Sequence, residues 1–284
     1  MSGLLGVALG AVGSGRVRYG RAMALWAEGA LSGAQLEAYR VAAADDRRTP
    51  AQVLEDRALP VPVDVAPTAE ALIQALVGEA DRYLAGLPGP GVAEVRAGIA
   101  KWGGGAVTAA PPTANAVRDA HLGEALTALA NDQPALAAAI AAAALHLAWI
   151  TYDGYPPDQI GAGFARGHAY ASLLGQDSSA IPADDFDMGL FLIAPHVLYR
   201  DHAHLAPELY APLTGPHGWR FGPDRPLVVK AAHQPVWNPA HRPHLTKVGP
   251  VPFLSLYCWT RDSMAPAHVV AASDWPDLEA LRLG

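Results

Sequence analysis

The chain has a single cysteine, Cys258, so no intrachain disulfide can form and nothing in it calls for an oxidising compartment. Charge is also scarce: 17 % of residues are charged, and acidic residues outnumber basic ones by 27 to 20 for a formal net charge of −7. That balance excludes a broad basic surface for nucleic acid and leaves small-molecule chemistry as the better fit. No internal repeat is present. Long apolar runs are nearly absent as well. The stretch QPALAAAIAAAALHLAWI (133–150) comes closest, but Pro134 and the modest hydrophobicity of alanine argue against a membrane span. The apolar GLLGVALGAVGSG (3–15) has no Lys or Arg before it and Arg16 and Arg18 after it, the wrong order for a secretory leader. A cytoplasmic protein without a membrane anchor is expected.

What is present divides into two textures. With 284 residues, 51 % of them hydrophobic, the chain can bury a large core. From Tyr19 to Tyr152 it is rich in Ala, Leu and Glu at helical spacing, with few β-branched runs. Thr68 and Thr113 stand where helix N-caps belong, and Pro134 stands at a first turn. The segment DQIGAGFARGHAYASLLG (158–175) reads as one more helix. Its GAGFARG has the glycines of a dinucleotide loop but no β-branched strand ahead of it, so no nucleotide cofactor is expected.

From Asp187 onward, short strand-like runs (MGLFLIAP, ELYAPL, PLVVKA, VPFLSLYCW, AHVVAA) are separated by Pro and Gly turns, the spacing of a sandwich or barrel. Eight of the 11 histidines fall in this part. The expected fold is α+β, with a mainly helical N-terminal region over 1–180 packed on a C-terminal β-barrel over 181–284. The helical half has apolar stripes but no cluster of acids, bases or ligands. The chemistry is expected in the barrel.

The segment HAHLAPELY (202–210) carries that chemistry. Residues two apart in a strand face the same side, so His202 pairs with His204 and Glu208 with Tyr210. If the second run folds back on the first, two imidazoles, a carboxylate and a phenol converge inside the barrel. Imidazole nitrogens plus one carboxylate suit a divalent transition metal: zinc, iron(II), manganese or nickel. On the last long strand, Phe253, Tyr257 and Trp259 alternate onto one face, with Trp219 expected opposite. Cys258 points away from Trp259 and is read as buried and inert. His217 and His268 are read as surface or structural, and Trp26, Trp102, Trp149 and His146 as packing residues.

These residues resemble the first cupin motif, in which HxH is followed by a glutamate and then, after six intervening residues, a glycine: His202, His204, Glu208 and Gly215. The second motif is matched in part by Pro239 and His244. His196 and His241 stand where the two motifs have glycine, and Val248 where asparagine is common. His244 is favoured over His241 as the third histidine ligand because its proline is correctly placed, but the two stay open. The resemblance implies a small jelly-roll barrel with a ligand cavity. More narrowly, YRDHAHLAPELY (199–210) and LYCWTRD (256–262) resemble the cupin-type dimethylsulfoniopropionate (DMSP) lyases, in which tyrosines flank the HxH–Glu motif and a tryptophan follows on a later strand.

That resemblance implies a metal-dependent carbon–sulfur lyase releasing dimethyl sulfide and acrylate by β-elimination. One divalent metal would be held by His202, His204, Glu208 and His244. Tyr210 would be the general base, and Tyr199 a second base or a hydrogen-bond donor. Trp259, Tyr257, Trp219 and His202 would contact the substrate, with aromatic faces accepting the sulfonium. Two alternatives remain: another cupin metalloenzyme, an iron(II) oxygenase or isomerase with DMSP cleavage as a side activity, and a non-catalytic small-molecule sensor. Self-association into a homo-oligomer is left open.

Overall fold

In the computed structural model, the described residues are 14–27, 29–45, 48–60 and 67–283; most of the apolar stretch 3–15 lies outside them. The helices α1 (Ser14–Ala27), α2 (Gly33–Ala43), α3 (Pro50–Asp56), α4 (Ala69–Ala85), α5 (Val92–Trp102), α6 (Ala116–Ala130) and α7 (Pro134–Ala143) come first. Two short helical turns follow, α8 (Pro157–Ile160) and α9 (Ala162–Gly167). The strands are β1 (His168–Gly175), β2 (Ile181–Pro182), β3 (Asp187–Ile193), β4 (Leu198–Ala203), β5 (Glu208–Pro212), β6 (His217–Arg220), β7 (Val228–Lys230), β8 (Val236–Asn238), β9 (His244–Lys247), β10 (Phe253–Trp259) and β11 (His268–Val269). A last helix, α10 (Trp275–Ala280), closes the described chain. None of the described helices is long and apolar enough to cross a membrane.

Local chemistry sets the helix starts. Ser32 and Thr49 each cap a helix with a glutamine three residues on, forming reciprocal capping boxes with Gln35 and Gln52. Thr68 caps α4 as its sequence predicts. Thr113 does not cap α6. Asn115 does, its side-chain oxygen accepting from the Arg118 backbone N–H at 2.9 Å, while the Thr113 carbonyl accepts from the Arg118 guanidinium at 2.8 Å. A second correction concerns 158–175, which is not one helix. Only its first part is helical; from His168 it is a strand, with His168 and Tyr170 on one face and Ala169, Ala171 and Leu173 on the other. Strand structure in the barrel therefore begins at 168, ahead of residue 181.

The barrel is two facing sheets, the cupin jelly roll expected of the resemblance. One has six strands in the order β2-β1-β3-β10-β5-β8, the other five in the order β11-β4-β9-β6-β7. All pairings are antiparallel except β1 with β2. The outer face of the six-stranded sheet packs against the helical layer, with α6 lying over β1, β3 and β10 and α7 bridging α4 and α6. Leu190, Leu192, Leu209, Leu254, Leu256 and Cys258 share one core with Ile73, Leu76, Leu129 and Ile140 of the helices. A smaller core joins α1, α2 and α3. The helical region thus covers one sheet and leaves the barrel interior to the other faces.

Candidate active site

β4 and β5 do not fold back on one another; they lie in different sheets and face each other across the barrel. The convergence read from HAHLAPELY arises across that gap. From the five-stranded sheet come His202 on β4, His204 just after it, and His244 on β9, directly paired with His202 in register. From the six-stranded sheet come Glu208 and Tyr210 on β5, and Tyr257 and Trp259 on β10, in register with them.

The three histidines are buried, and one ring nitrogen of each lies within 4.8 Å of the others. The opposite nitrogens explain the aim of the rings. Nδ1 of His202 sits 2.9 Å from the Arg200 carbonyl, that of His204 2.7 Å from the Ala206 carbonyl, and that of His244 3.0 Å from the Arg242 carbonyl. A carbonyl can only accept, so each Nδ1 donates, and Nε2 is the nitrogen left for the cavity. His244 Nε2 is buried without a hydrogen-bond partner; it lies 3.2 Å from Glu208 Oε2 but is misaligned for a hydrogen bond. His204 Nε2 is 3.3 Å from the same oxygen. An orphaned imidazole nitrogen beside a buried carboxylate is the donor set a divalent metal requires. His241, the rival for His244, is exposed in a turn.

Glu208 is fixed from its other side. Trp259 Nε1–H donates to Oε1 at 2.8 Å, and Asn238 Nδ2–H donates to Oε2 at 3.3 Å. Burial by itself would raise its carboxyl, but the charges and contacts of His204 and His244 hold it well below the usual range. His202 is held well below an ordinary imidazole by burial and by its two histidine neighbours. Sequence reasoning missed Asn238; its register opposite Glu208 gives it no motif of its own.

Tyr210 is buried beneath this group. Burial, reinforced by the Glu208 charge, pushes its phenol well above 10. Tyr199 stacks on His202 with ring centres 3.8 Å apart and shares a hydrogen bond of 2.7 Å with the Tyr155 hydroxyl. Burial and Tyr155 push its phenol well up too. Trp219 does not line the cavity. It is fully buried against Tyr210 and Phe253, with ring centres at 5.6 and 5.9 Å, rather than facing the cavity as its expected place opposite Trp259 would have it. Phe253 is core beside it. His217 is buried and structural, and His268 is exposed.

The cavity holds about 320 Å³. All of the predicted site residues except His244 and Trp219 line it, together with Tyr152, Tyr155, Phe164, His168, Tyr170 and Asp187. Tyr152 and Tyr155 come from the loop ahead of α8, Phe164, His168 and Tyr170 from the segment expected to be one helix, and Asp187 from the start of β3. The alternation of His168 and Tyr170 with small apolar residues was the signal available in the sequence. His168 is structural: Nδ1–H donates to the Phe164 carbonyl at 2.6 Å, and Nε2 accepts from the Tyr152 backbone N–H at 3.1 Å.

The sequence model of a family described as dimethylsulfoniopropionate lyase matches residues 107–255, a span holding the three histidines, Glu208, Tyr199 and Tyr210. A chain from the crystal structures of the DMSP lyases RdDddP and RnDddQII aligns with a TM-score of 0.57 at 24 % identity, covering 72 % of this chain and 100 % of that one. The DMSP lyase DddQ from Ruegeria pomeroyi DSS-3 aligns with a TM-score of 0.51 at 21 % identity, covering 70 % of this chain and 96 % of that one. None of the curated proteins matches. The two structural likenesses speak to the fold, and the sequence match to membership.

Proposed function

The chain belongs to the dimethylsulfoniopropionate lyase family, and we propose from that premise that it cleaves DMSP itself, by a metal-dependent β-elimination. The observation that carries this reading is the convergence of three buried imidazoles, each turned inward by a backbone carbonyl, with Glu208 beside His204 and His244 and the Tyr210 phenol nearby. His202, His204, His244 and Glu208 would hold one divalent ion. Bound there, such an ion supplies positive charge that favours enolate-like charge on the substrate carboxylate and the ionised form of a neighbouring phenol.

The chain's residues then divide the work. Tyr210 accepts the proton from the carbon next to the substrate carboxylate. The electrons of that C–H bond form the new carbon–carbon double bond, and the carbon–sulfur bond breaks with its pair leaving on sulfur. Dimethyl sulfide and acrylate result, with the proton on Tyr210 returned to water. The Tyr155–Tyr199 pair, kept protonated by burial, donates hydrogen bonds and orients the bound substrate. The aromatic walls exclude water around the developing charge.

The test pairs elemental analysis of untagged protein with head-space dimethyl sulfide on added DMSP. The expected result is near-unit metal and turnover in the wild type, both largely lost in Glu208→Ala. Near-unit metal with no dimethyl sulfide would overturn the reaction, and unchanged metal in Glu208→Ala would overturn the ligand set.

A further inference from the structure

Asp187 lies at the start of β3, in the same register row as Trp259, Glu208 and Asn238. Strands in a sheet are about 4.8 Å apart, so the Asp187 and Glu208 backbones stand roughly 10 Å from one another with Trp259 between them. The cavity therefore has a carboxylate on either side of one indole. A third carboxylate, Asp177, also reaches the cavity wall, and Asp187 and Glu208 have unlike surroundings. Glu208 faces the imidazoles, whereas Asp187 is met by Tyr257 and Ser172. The Tyr257 hydroxyl donates to its two oxygens at 3.2 and 3.3 Å, and Ser172 Oγ donates to Oδ1 at 2.5 Å. No Lys or Arg is among the described residues lining the cavity.

The backbone makes room for this carboxylate. A Cβ on Gly175 would sit 2.8 Å from Asp187 Oδ1 and 2.9 Å from Ser172 Oγ. A Cβ on Gly189 would sit 2.2 Å from the Ala171 carbonyl, at the β1–β3 register shift beside Ser172. Burial raises the Asp187 carboxyl to about 6, while the O–H groups of Ser172 and Tyr257, which donate to its oxygens, favour the ionised form. A buried charge without a counter-charge is costly, and a cationic ligand is what would offset it. Rings suited to that cation stand alongside: Tyr170 meets Tyr257 edge to face at 6.0 Å, and Trp259 closes the row.

We propose that Asp187, with the rings of Tyr170, Tyr257 and Trp259, is the subsite for the onium end of the substrate, so that the cavity selects zwitterions with a carboxylate at the histidine cluster and a cationic centre a few bonds away. This deepens the lyase reading and rests on it for the placement of the carboxylate. It also departs from the expectation that aromatic faces alone receive the sulfonium. A ligand of the same shape with an uncharged or anionic group in place of the onium leaves Asp187 uncompensated or repelled.

Calorimetric titration of the metal-loaded full chain tests this with two ligands: β-alanine betaine, and its carbon isostere 4,4-dimethylpentanoate, which keeps the carboxylate but has an uncharged carbon in place of the ammonium nitrogen. The wild type is expected to bind the betaine about tenfold or more tightly than the isostere. Asp187→Asn keeps an acceptor for Ser172 and Tyr257, and is expected to lose most of that preference while holding the isostere within about twofold. Equal affinities in the wild type overturn the proposal, and this comparison stands even if Asp187→Asn does not fold. A preference that survives in folded Asp187→Asn overturns it as well. Protein that releases no dimethyl sulfide yet prefers the betaine through Asp187 would sink the lyase reading and support the subsite; release of dimethyl sulfide with equal affinities would do the reverse.

Discussion

Strands β1, β3, β5 and β10 carry two unlike faces. Toward the helices they present Ala169, Ala171, Leu190, Leu192, Leu209, Leu254, Leu256 and Cys258, a layer of small and branched apolar groups with no ionisable residue but one buried thiol. Toward the barrel the same strands present His168, Tyr170, Asp187, Phe191, Glu208, Tyr210, Tyr257 and Trp259. The two sets alternate residue by residue, so a slip of one position would exchange them. The outer face is interchangeable packing that fixes register. The inner face depends on that register for every polar contact it makes. This difference assigns stability to one side of a strand and chemistry to the other.

Truncation on the outer face should separate the two. Leu256→Ala removes a nearly fully buried side chain from the helix-facing core and is expected to cost about 2–4 kcal/mol of unfolding free energy. Metal content and turnover of the folded fraction should stay close to wild type. Loss of turnover without loss of stability, measured by denaturant titration and head-space assay together, would break the division.

The second prediction sharpens it at a buried residue away from the cavity. His217 Nδ1 accepts from the Gly249 backbone N–H at 3.1 Å, so the ring is neutral, and burial lowers it to about 4. An unfolded histidine takes up its proton near ~6.5, before the native one can. Its contribution is therefore whole above that pH and is lost as pH falls toward the folded value, at about 1.4 kcal/mol per pH unit. The difference in stability between wild type and His217→Gln should shrink over that window and level off below it. A difference constant with pH would remove His217 from the structural account.

The smallest effect concerns the turns. His196 and His241 occupy the two positions where the cupin motifs have glycine, and both keep the left-handed backbone that glycine favours, with φ of +64° and +62°. The exposed ring of His241 makes substitution there simple. His241→Gly relieves the strain of a side chain in that region against the extra freedom of an unfolded glycine, for a net gain of about 0.5 kcal/mol. A fall in melting temperature would contradict that.

These turns show how much was legible. HAHLAPELY, Pro239 and His244 were readable because metal ligation demands particular side chains at particular spacings. The helical layer was readable from its apolar stripes, except where capping turned on a competition between Thr113 and Asn115. Whether β4 pairs with β5 is not legible locally, because a short loop suggests a hairpin while sheet membership is decided by long-range contacts. Tyr155, Tyr170 and Asp187 were missed for a related reason. They enter the cavity through a strand, a bulge and a loop that local propensity did not reveal, and Asp187 has meaning only beside Ser172 and Tyr257. Asn238 acts through Glu208, and its position opposite that residue exists only once β5 and β8 pair.

The account turns on the proton transfer assigned to Tyr210. It sits two residues after Glu208 on the same face of β5, and Tyr210→Phe removes its hydroxyl while keeping the ring that packs against Trp219 and Phe253. Head-space dimethyl sulfide from the metal-assayed variant is the direct measurement. Metal content should match the wild type, and kcat should fall by about 10²–10⁴-fold, the usual effect of losing a general base. Tyr199→Phe should be milder, since its hydroxyl shares its hydrogen with Tyr155. A Tyr210→Phe protein that holds its metal and turns over at the wild-type rate would contradict the assignment.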